Sequence, residues 1–353
     1  MLTVTQLALP ERPDDPAWLE YHGLGRVLNR DLAEGDGFDV GPEAAWESAT
    51  RHSAQYPMVR LLAHVDGVPV GYASLRRNLT DDPLTGDLFV YVEQAHRGRG
   101  VGAALAERLA RCVEEAGLTL LQAWVMLQAD GAERLEPTSG AGSVPATDPG
   151  IRFALRHGFT LEQVERVSRY DFAAPLVDPQ VALADAVALA GADYEVILFE
   201  GHAPDDVIDD LAVLRARMAT DPPAGGMVAV EQAWDAARLR ERDAKLLATN
   251  RLWRAVVRHV PSGRAVALSE IARDRGNPVA FLEQWDTIVL PEHRGHRLGM
   301  LVKAANLLQV RDAVPDAEAI ITWNAEENRH MLMVNEALGF RQVLVEAALQ
   351  RPL

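Results

Sequence analysis

The chain has 353 residues, with 51 acidic and 35 basic side chains and a net charge of −16. That length exceeds one ordinary domain and predicts two domains of about 170 residues each, while the acidic balance argues against a nucleic-acid partner, whose phosphates must be neutralised. A single cysteine, Cys112, excludes an intramolecular disulfide and a thiolate metal cluster.

Residues 3–9 read as a first strand, broken by the prolines of 10–16. Residues 17–32 alternate apolar and charged side chains at helical spacing, and 43–53 form a second helix. Asp66-Gly67 between the apolar runs 59–65 and 68–75 is a two-residue hairpin signal. A strand at 88–92 enters a basic, glycine-bearing turn, and a helix follows over 101–116, closed by Gly117. Cys112 falls in the apolar pattern of that helix, a packing position rather than a reactive thiol. Residues 118–127 are apolar enough for a buried central strand, whereas 130–150, rich in Gly, Ser, Pro and Thr, form a long loop. A short helix at 151–157 ends at Gly158, and 159–172 returns as a strand. The prolines within 173–179 mark a boundary, giving domains 1–174 and 175–353.

The second half repeats this plan: a strand at 194–199, a helix at 205–218 with an acidic start, a Pro/Gly break at 221–226 and a helix at 231–247. A hairpin follows, 253–260 and 265–271, and then the segment 283–306, again a strand, a basic turn and a helix whose Leu298, Leu301, Val302, Ala305 and Leu308 predict one buried face. A buried strand at 319–323, a helix at 328–338 and a strand at 340–347 close the chain. Two copies of strand, basic turn and helix imply a duplicated unit. Each turn combines open backbone N–H groups at a helix start with arginines, which is a phosphate site.

No run of eighteen apolar residues occurs, so no membrane span is expected, and the N-terminus has neither the basic start nor the apolar core of a secretory signal. A cytoplasmic protein, monomeric or homodimeric, without a nucleic-acid or membrane partner, is the expectation. No clustered His/Asp arrangement suggests a metal. Trp253, Trp285 and Trp323 fall in strands as core side chains, the latter two also as candidate pocket walls. Lys303 is read as solvated or as reaching a phosphate, and Asp205, Asp206, Asp209 and Asp210 as stabilising a helix start. His330 is weighed as a group near the acyl site against an exposed histidine without a role.

Arg97-x-x-Gly100-x-Gly102 at a strand-to-helix junction, with Gly158-Phe159 downstream, resembles the acyl-CoA pyrophosphate motif of the Gcn5-related N-acetyltransferase (GNAT) superfamily. Arg294 and Gly299 match it too, with Arg297 where the first glycine is usual; Asn328 and Leu338-Gly339-Phe340 resemble the family's N-x-x-A-x-x-L-Y-x-x-x-G-F segment. The resemblance spans both halves, in the arrangement of tandem acetyltransferases such as mycothiol synthase. It implies an α/β (α+β) fold of two tandem GNAT-type domains, each a mixed, splayed sheet flanked by helices. It further implies acetyl-CoA as acyl donor, bound by Val92, Arg97, Gly98, Arg99, Gly100, Val101 and Gly102 in the first half, and by Val289, Arg294, Gly295, His296, Arg297, Leu298, Gly299 and Asn328 in the second.

By the same resemblance, the general base is a carboxylate six residues before the apolar position that precedes the turn; that count lands on Glu283 in the second half and, in the first, on Gly86, which has no carboxylate. Two-residue alternation places Glu283, Trp285, Thr287 and Val289 on one strand face and Asp286 on the other. A solvated strand-end charge is the competing reading of Glu283. The family's tyrosine acid is replaced by Asn335 in the second half and by Ala154 in the first; Asn335 retains hydrogen-bonding capacity for the thiol or the substrate. The expectation is a catalytic C-terminal domain that acetylates a primary amine of a small molecule, and an N-terminal domain that binds acyl-CoA or is structural. Activity in both domains is the rival. A non-catalytic acyl-CoA sensor or interaction protein is the alternative reading of the missing tyrosines.

Overall fold

Asp66 and Gly67 take φ of 52° and 83°, the mirror-image turn that matches the twist of the strands it joins. In the computed structural model, which describes residues 1–32, 37–276 and 281–353, this turn joins two antiparallel strands paired from Met58↔Arg76 to Val65↔Val68. The first half runs β1 (Leu2–Leu7), α1 (Pro16–Leu32), α2 (Pro42–His52), β2 (Met58–Val65), β3 (Val68–Asn78), β4 (Asp82–Val92), α3 (Val101–Glu115), β5 (Leu120–Leu127), β6 (Arg134–Leu135), β7 (Val144–Pro145), α4 (Pro149–Arg156) and β8 (Thr160–Asp171). The expected long loop at 130–150 thus carries a small hairpin, with β6 antiparallel to β7.

The second half runs α5 (Pro179–Ala190), β9 (Tyr194–Glu200), α6 (Ile208–Met218), α7 (Ala236–Thr249), β10 (Asn250–His259), β11 (Arg264–Asp274), β12 (Leu282–Val289), α8 (Leu298–Ala313), β13 (Ala319–Ala325), α9 (Arg329–Leu338) and β14 (Arg341–Pro352). The predicted helix at 231–247 begins later, at Ala236, where the Asp235 carboxylate accepts from the Arg238 N–H.

Two compact units result. The first takes Met1–Val164 with Glu346–Leu353, and the second Glu165–Arg275 with Phe281–Val345. In the first, hydrogen-bonded neighbours run β1-β2-β3-β4-β5-β14. Tyr21 and Leu24 of α1 pack on Leu62, Tyr72 and Tyr91 on one face, and on the other Gly71 lies so close to α3 that an added Cβ would meet Val101 at 3.4 Å. Cys112 is buried in α3, as expected.

In the second unit the order is β8-β13-β12-β11-β10-β9. Val207, Ile208, Leu211 and Leu214 pack with Leu239 of α7 on Val256, Leu268 and Ile288, whereas α8 packs on the opposite face against Trp253, Ala255 and Ile271. The single buried face predicted for α8 is corrected. Met300, Lys303, Ala304 and Leu307 are buried as well as the sheet-facing side chains, because α5, a helix the sequence reading did not assign, packs along α8 and adds Ala186 and Ala190 to the same core.

The acidic residues around α6 do more than stabilise its start, another correction. Asp205 pairs with Arg240 and Asp206 with Arg258, while Asp210 is buried and accepts the Ala265 N–H at 2.7 Å.

Candidate active site

In both units a central strand leaves its parallel neighbour before reaching the basic turn. β4 pairs with β5 over Thr85–Leu88 and runs on to Val92; β12 pairs with β13 over Leu282–Gln284 and runs on to Val289. Each turn begins with a short 3-10 segment, Gln94–His96 or Pro291–His293. The arginine that follows then folds back on the strand: Arg97 Nε donates to the Val92 carbonyl at 2.9 Å, and Arg294 Nε to the Val289 carbonyl at 3.1 Å.

The residue before each helix is left-handed, Gly100 at φ 86° and Arg297 at φ 58°. Arg297 therefore adopts the backbone its glycine counterpart adopts freely, at a cost of about 1 kcal/mol. Neither helix has a side-chain cap, so the first-turn N–H groups point out of the turn with the positive end of the helix dipole behind them. Arg97, Gly98, Arg99 and Gly100, like Arg294, Gly295, His296 and Arg297, are exposed, while Val101 and Leu298 are buried anchors. The His296 ring lies 5.3 Å from Tyr194, whose hydroxyl hydrogen-bonds His293 Nδ1 at 3.0 Å.

The two halves differ on the strand itself. β3 and β4 stay in register from Gly71↔Val92 to Arg77↔Gly86. Between β11 and β12 the register shifts: Ser269 opposes Thr287 and Ile271 opposes Gln284, leaving Trp285 and Asp286 opposite the single residue Glu270. This β-bulge overturns the predicted alternation. Thr287 and Val289 face the α8 side with their partners Ser269 and Ala267, whereas Glu283, opposite Ala272, shares the α6 side with Asp286.

On that side lies an ion network that the sequence reading missed. Arg254 and Glu270 are cross-strand partners, each 1 % exposed, and Arg254 also holds Asp243. Arg242 joins Glu270, and Arg215 bridges Glu270 and Asp286. Burial works to raise the pKa of Glu270, but Arg242, Arg254 and Arg215 together outweigh it and hold the carboxyl well below its usual range. For Asp286 burial prevails over the opposing Arg215, and Glu270 adds to the upward shift.

Glu283 stands apart. Its carboxylate accepts from the Trp285 indole N–H at 2.8 Å and makes no ion pair among the described residues. Its side chain is exposed, yet the protein packed around the carboxyl raises its pKa; the indole hydrogen bond opposes this and Asp274 adds to it. The corresponding position in β4 has no room for a carboxylate, since a Cβ on Gly86 would lie 2.6 Å from both Leu118 and Leu75.

Asn335 is 1 % exposed, and its amide donates to Asn324 Oδ1 at 2.6 Å. Asn328 caps α9 by accepting from the Met331 N–H, a structural use of a residue expected at the cofactor. His330 is exposed at the start of the same helix. Lys303 is neither solvated nor at a phosphate: it is 2 % exposed, 5.3 Å from the Phe340 ring, and burial alone pulls its pKa down to about 7. Trp253 is fully buried, while Trp285 and Trp323 are half-buried. Glu165, opposite Ala325, is a further carboxylate that sequence reasoning missed, raised by burial and by Glu327. Among the described residues no cluster suits a metal ion, and no helix is long and apolar enough to cross a membrane.

The sequence model of the Acetyltransferase (GNAT) family matches residues 26–135. No curated protein matches the chain in sequence. Among solved structures, the chain is similar to a tandem GNAT protein from the clavulanic acid biosynthesis pathway, with a TM-score of 0.76, 24% identity and coverage of 100% of this chain and 98% of that one. A GCN5-related N-acetyltransferase from Sphaerobacter thermophilus aligns at TM-score 0.60 and 14% identity, covering 99% of this chain and 95% of the other. A GCN5-related glucosamine N-acetyltransferase region of a fungal multi-domain enzyme aligns at 0.61 and 14%, covering 99% of this chain and 38% of that one. The family match falls on the half whose turn keeps both glycines, and the structural likeness extends over both. Residues 26–135 thus match the model of the GNAT acetyltransferase family, and the chain as a whole has the tandem GNAT fold.

Proposed function

We propose that the protein is an acyl-CoA-dependent N-acyltransferase that moves an acetyl group to a primary amine of a small molecule, with its chemistry in the second unit. The observation that carries this is the bulged, parted β12, which sets Glu283, a carboxylate with no ion pair among the described residues, on the strand that runs into the basic turn. Acetyl-CoA would supply the activated acyl thioester. The uncapped start of α8 with Arg294, Gly295, His296 and Arg297 would hold its phosphates. Glu283 would accept the proton that the amine nitrogen loses as it bonds to the acyl carbon, and a raised pKa suits that task near neutrality. The thiolate leaves as the carbon–sulfur bond breaks and takes a proton from water. Asn335 has no hydroxyl to supply one, and one of its two amide N–H groups is committed to Asn324.

In the first unit Arg97, Gly98, Arg99, Gly100 and Gly102 would bind acyl-CoA without turnover, because Gly86 stands where the second unit has Glu283 and the neighbouring carboxylate of β4, Asp87, is paired with Arg76. Domain ranges of 1–174 and 175–353, a cytoplasmic location and a cationic small-molecule acceptor complete the reading; the net charge of −16 favours such an acceptor. Thiol release from acetyl-CoA, followed across a panel of primary amines with mass detection of the acetylated product, tests it. Amine-dependent release that Glu283→Gln abolishes is the expected result. Coenzyme A binding without turnover on any amine would leave a sensor instead.

A further inference from the structure

Arg294 is engaged twice. Its Nε is fixed on the Val289 carbonyl, and its Nη2 lies 3.2 Å from Asp221 Oδ2. The other Asp221 oxygen is 3.5 Å from Arg217 Nε, and the aspartate side chain is only 14% exposed. Arg97, in the same place in the first unit, makes the same carbonyl bond, yet no carboxylate of the described residues pairs with it. Asp221 belongs to the segment between α6 and α7, residues 219–235, which has no helix or strand. At the other end of that segment the Trp234 ring sits 5.4 Å from the Arg215 guanidinium and 4.4 Å from that of Arg238. Arg215 is also the partner of Asp286 in the bulge. One segment therefore contacts the arginine of the turn at one end and, through Arg215, the bulge of β12 at the other.

We infer that Asp221 is an internal competitor for the phosphate-binding arginine, exchanged for a phosphate when acyl-CoA enters the second turn. The inference rests on the reading of that turn as the acyl-CoA site. A carboxylate held against Arg294 places one negative charge where phosphates are to arrive, so the ligand must displace it or bind against its repulsion. Once displaced, Asp221 no longer ties the start of the segment to the turn, while the Trp234 end stays held by Arg215 and Arg238. Acyl-CoA would thus loosen the part of the segment nearest the turn before the amine arrives, a positioning role for Asp221 and not a catalytic one.

Calorimetric titration of coenzyme A tests this in a Gly100→Val background, in which the first turn is disabled so that the second alone reports. Asp221→Asn is expected to lower the Kd about 3- to 10-fold, the scale of one partly exposed ion pair, and Asp221→Glu to restore it. In the chain with Asp221, coenzyme A should also increase amide hydrogen exchange at the Asp221 end of the segment 219–235 and not at its Trp234 end, and in Asp221→Asn that exchange should be raised before ligand is added. An equal or weaker affinity in Asp221→Asn overturns the exchange while leaving the acyl-CoA reading intact. Absence of binding in both chains overturns the reading of the turn, and the exchange with it.

Discussion

Asp286 shares a face of β12 with Glu283, three positions before it, because Trp285 and Asp286 together oppose Glu270. Without the bulge the two carboxylates would point to opposite faces. Asp286 is tied to Arg215, whereas Glu283 has only an indole N–H among the described residues. Glu283→Gln is therefore expected to lower kcat by about 100-fold or more with coenzyme A affinity unchanged. In the unsubstituted enzyme kcat/KM should fall as pH drops through a Glu283 pKa above the ordinary glutamate range, a limb that the variant lacks. Equal turnover in the variant removes Glu283 from the chemistry.

The buried network gives a stability prediction. Arg254 holds Asp243 and Glu270 at 1 % exposure, so Arg254→Met leaves two buried carboxylates each short of a cation. A loss of about 3–5 kcal/mol in urea unfolding is expected. The loss should be smaller in acid, where protonation of Glu270 removes its uncompensated charge from the variant.

The elements and both turns were legible because their signals are local. Asp66-Gly67 sets a hairpin by its own backbone preference, and Arg97-x-x-Gly100-x-Gly102 announces a strand-to-helix turn. The face of Glu283 was not legible, since a bulge exists only in the pairing of two strands and nothing in residues 283–289 alone marks it. The α5 helix escaped because its Ala- and Val-rich run has no single apolar stripe; it is read as a helix only beside α8, which it covers. The ion network did leave a trace. Arg254 and Glu270 are charges in the middle of otherwise apolar strands, at positions that the hairpin register places opposite one another.

Gly86 tests the asymmetry between the units. Gly86→Glu places a carboxylate at the position that matches Glu283, but its Cβ meets the Leu118 and Leu75 methyls at 2.6 Å. The substitution is expected to destabilise the chain by at least about 1–3 kcal/mol, the cost of overpacking, and to add no turnover in a Glu283→Gln background. Recovered activity would show that the first unit lacks only its base.

Arg297 holds a left-handed backbone at φ 58°. Arg297→Gly relieves about 1 kcal/mol of strain and removes a guanidinium from the second turn. Thermal unfolding of that unit should move up, while coenzyme A affinity there falls a few-fold and depends less on salt. A variant that binds coenzyme A as tightly as the parent at every salt concentration removes Arg297 from the phosphate site.

Lys303 carries a pH signature in folding. Burial, without a charged partner, lowers its pKa from 10.5 to about 7 in the folded chain, so between these values the unfolded chain binds more protons and stability rises with pH. Below about pH 7 both states are protonated and the penalty is full and constant; above about pH 10 it is gone. Lys303→Met keeps the volume and the contact with Phe340 but has no proton to lose. The variant should be more stable than the parent by roughly 4 kcal/mol at pH 7, and its advantage should shrink steadily towards pH 10. Urea unfolding of both chains from pH 6 to pH 10 measures the difference. A pH-independent gap would mean that Lys303 stays charged in the folded chain, with an anion or water beside its ammonium.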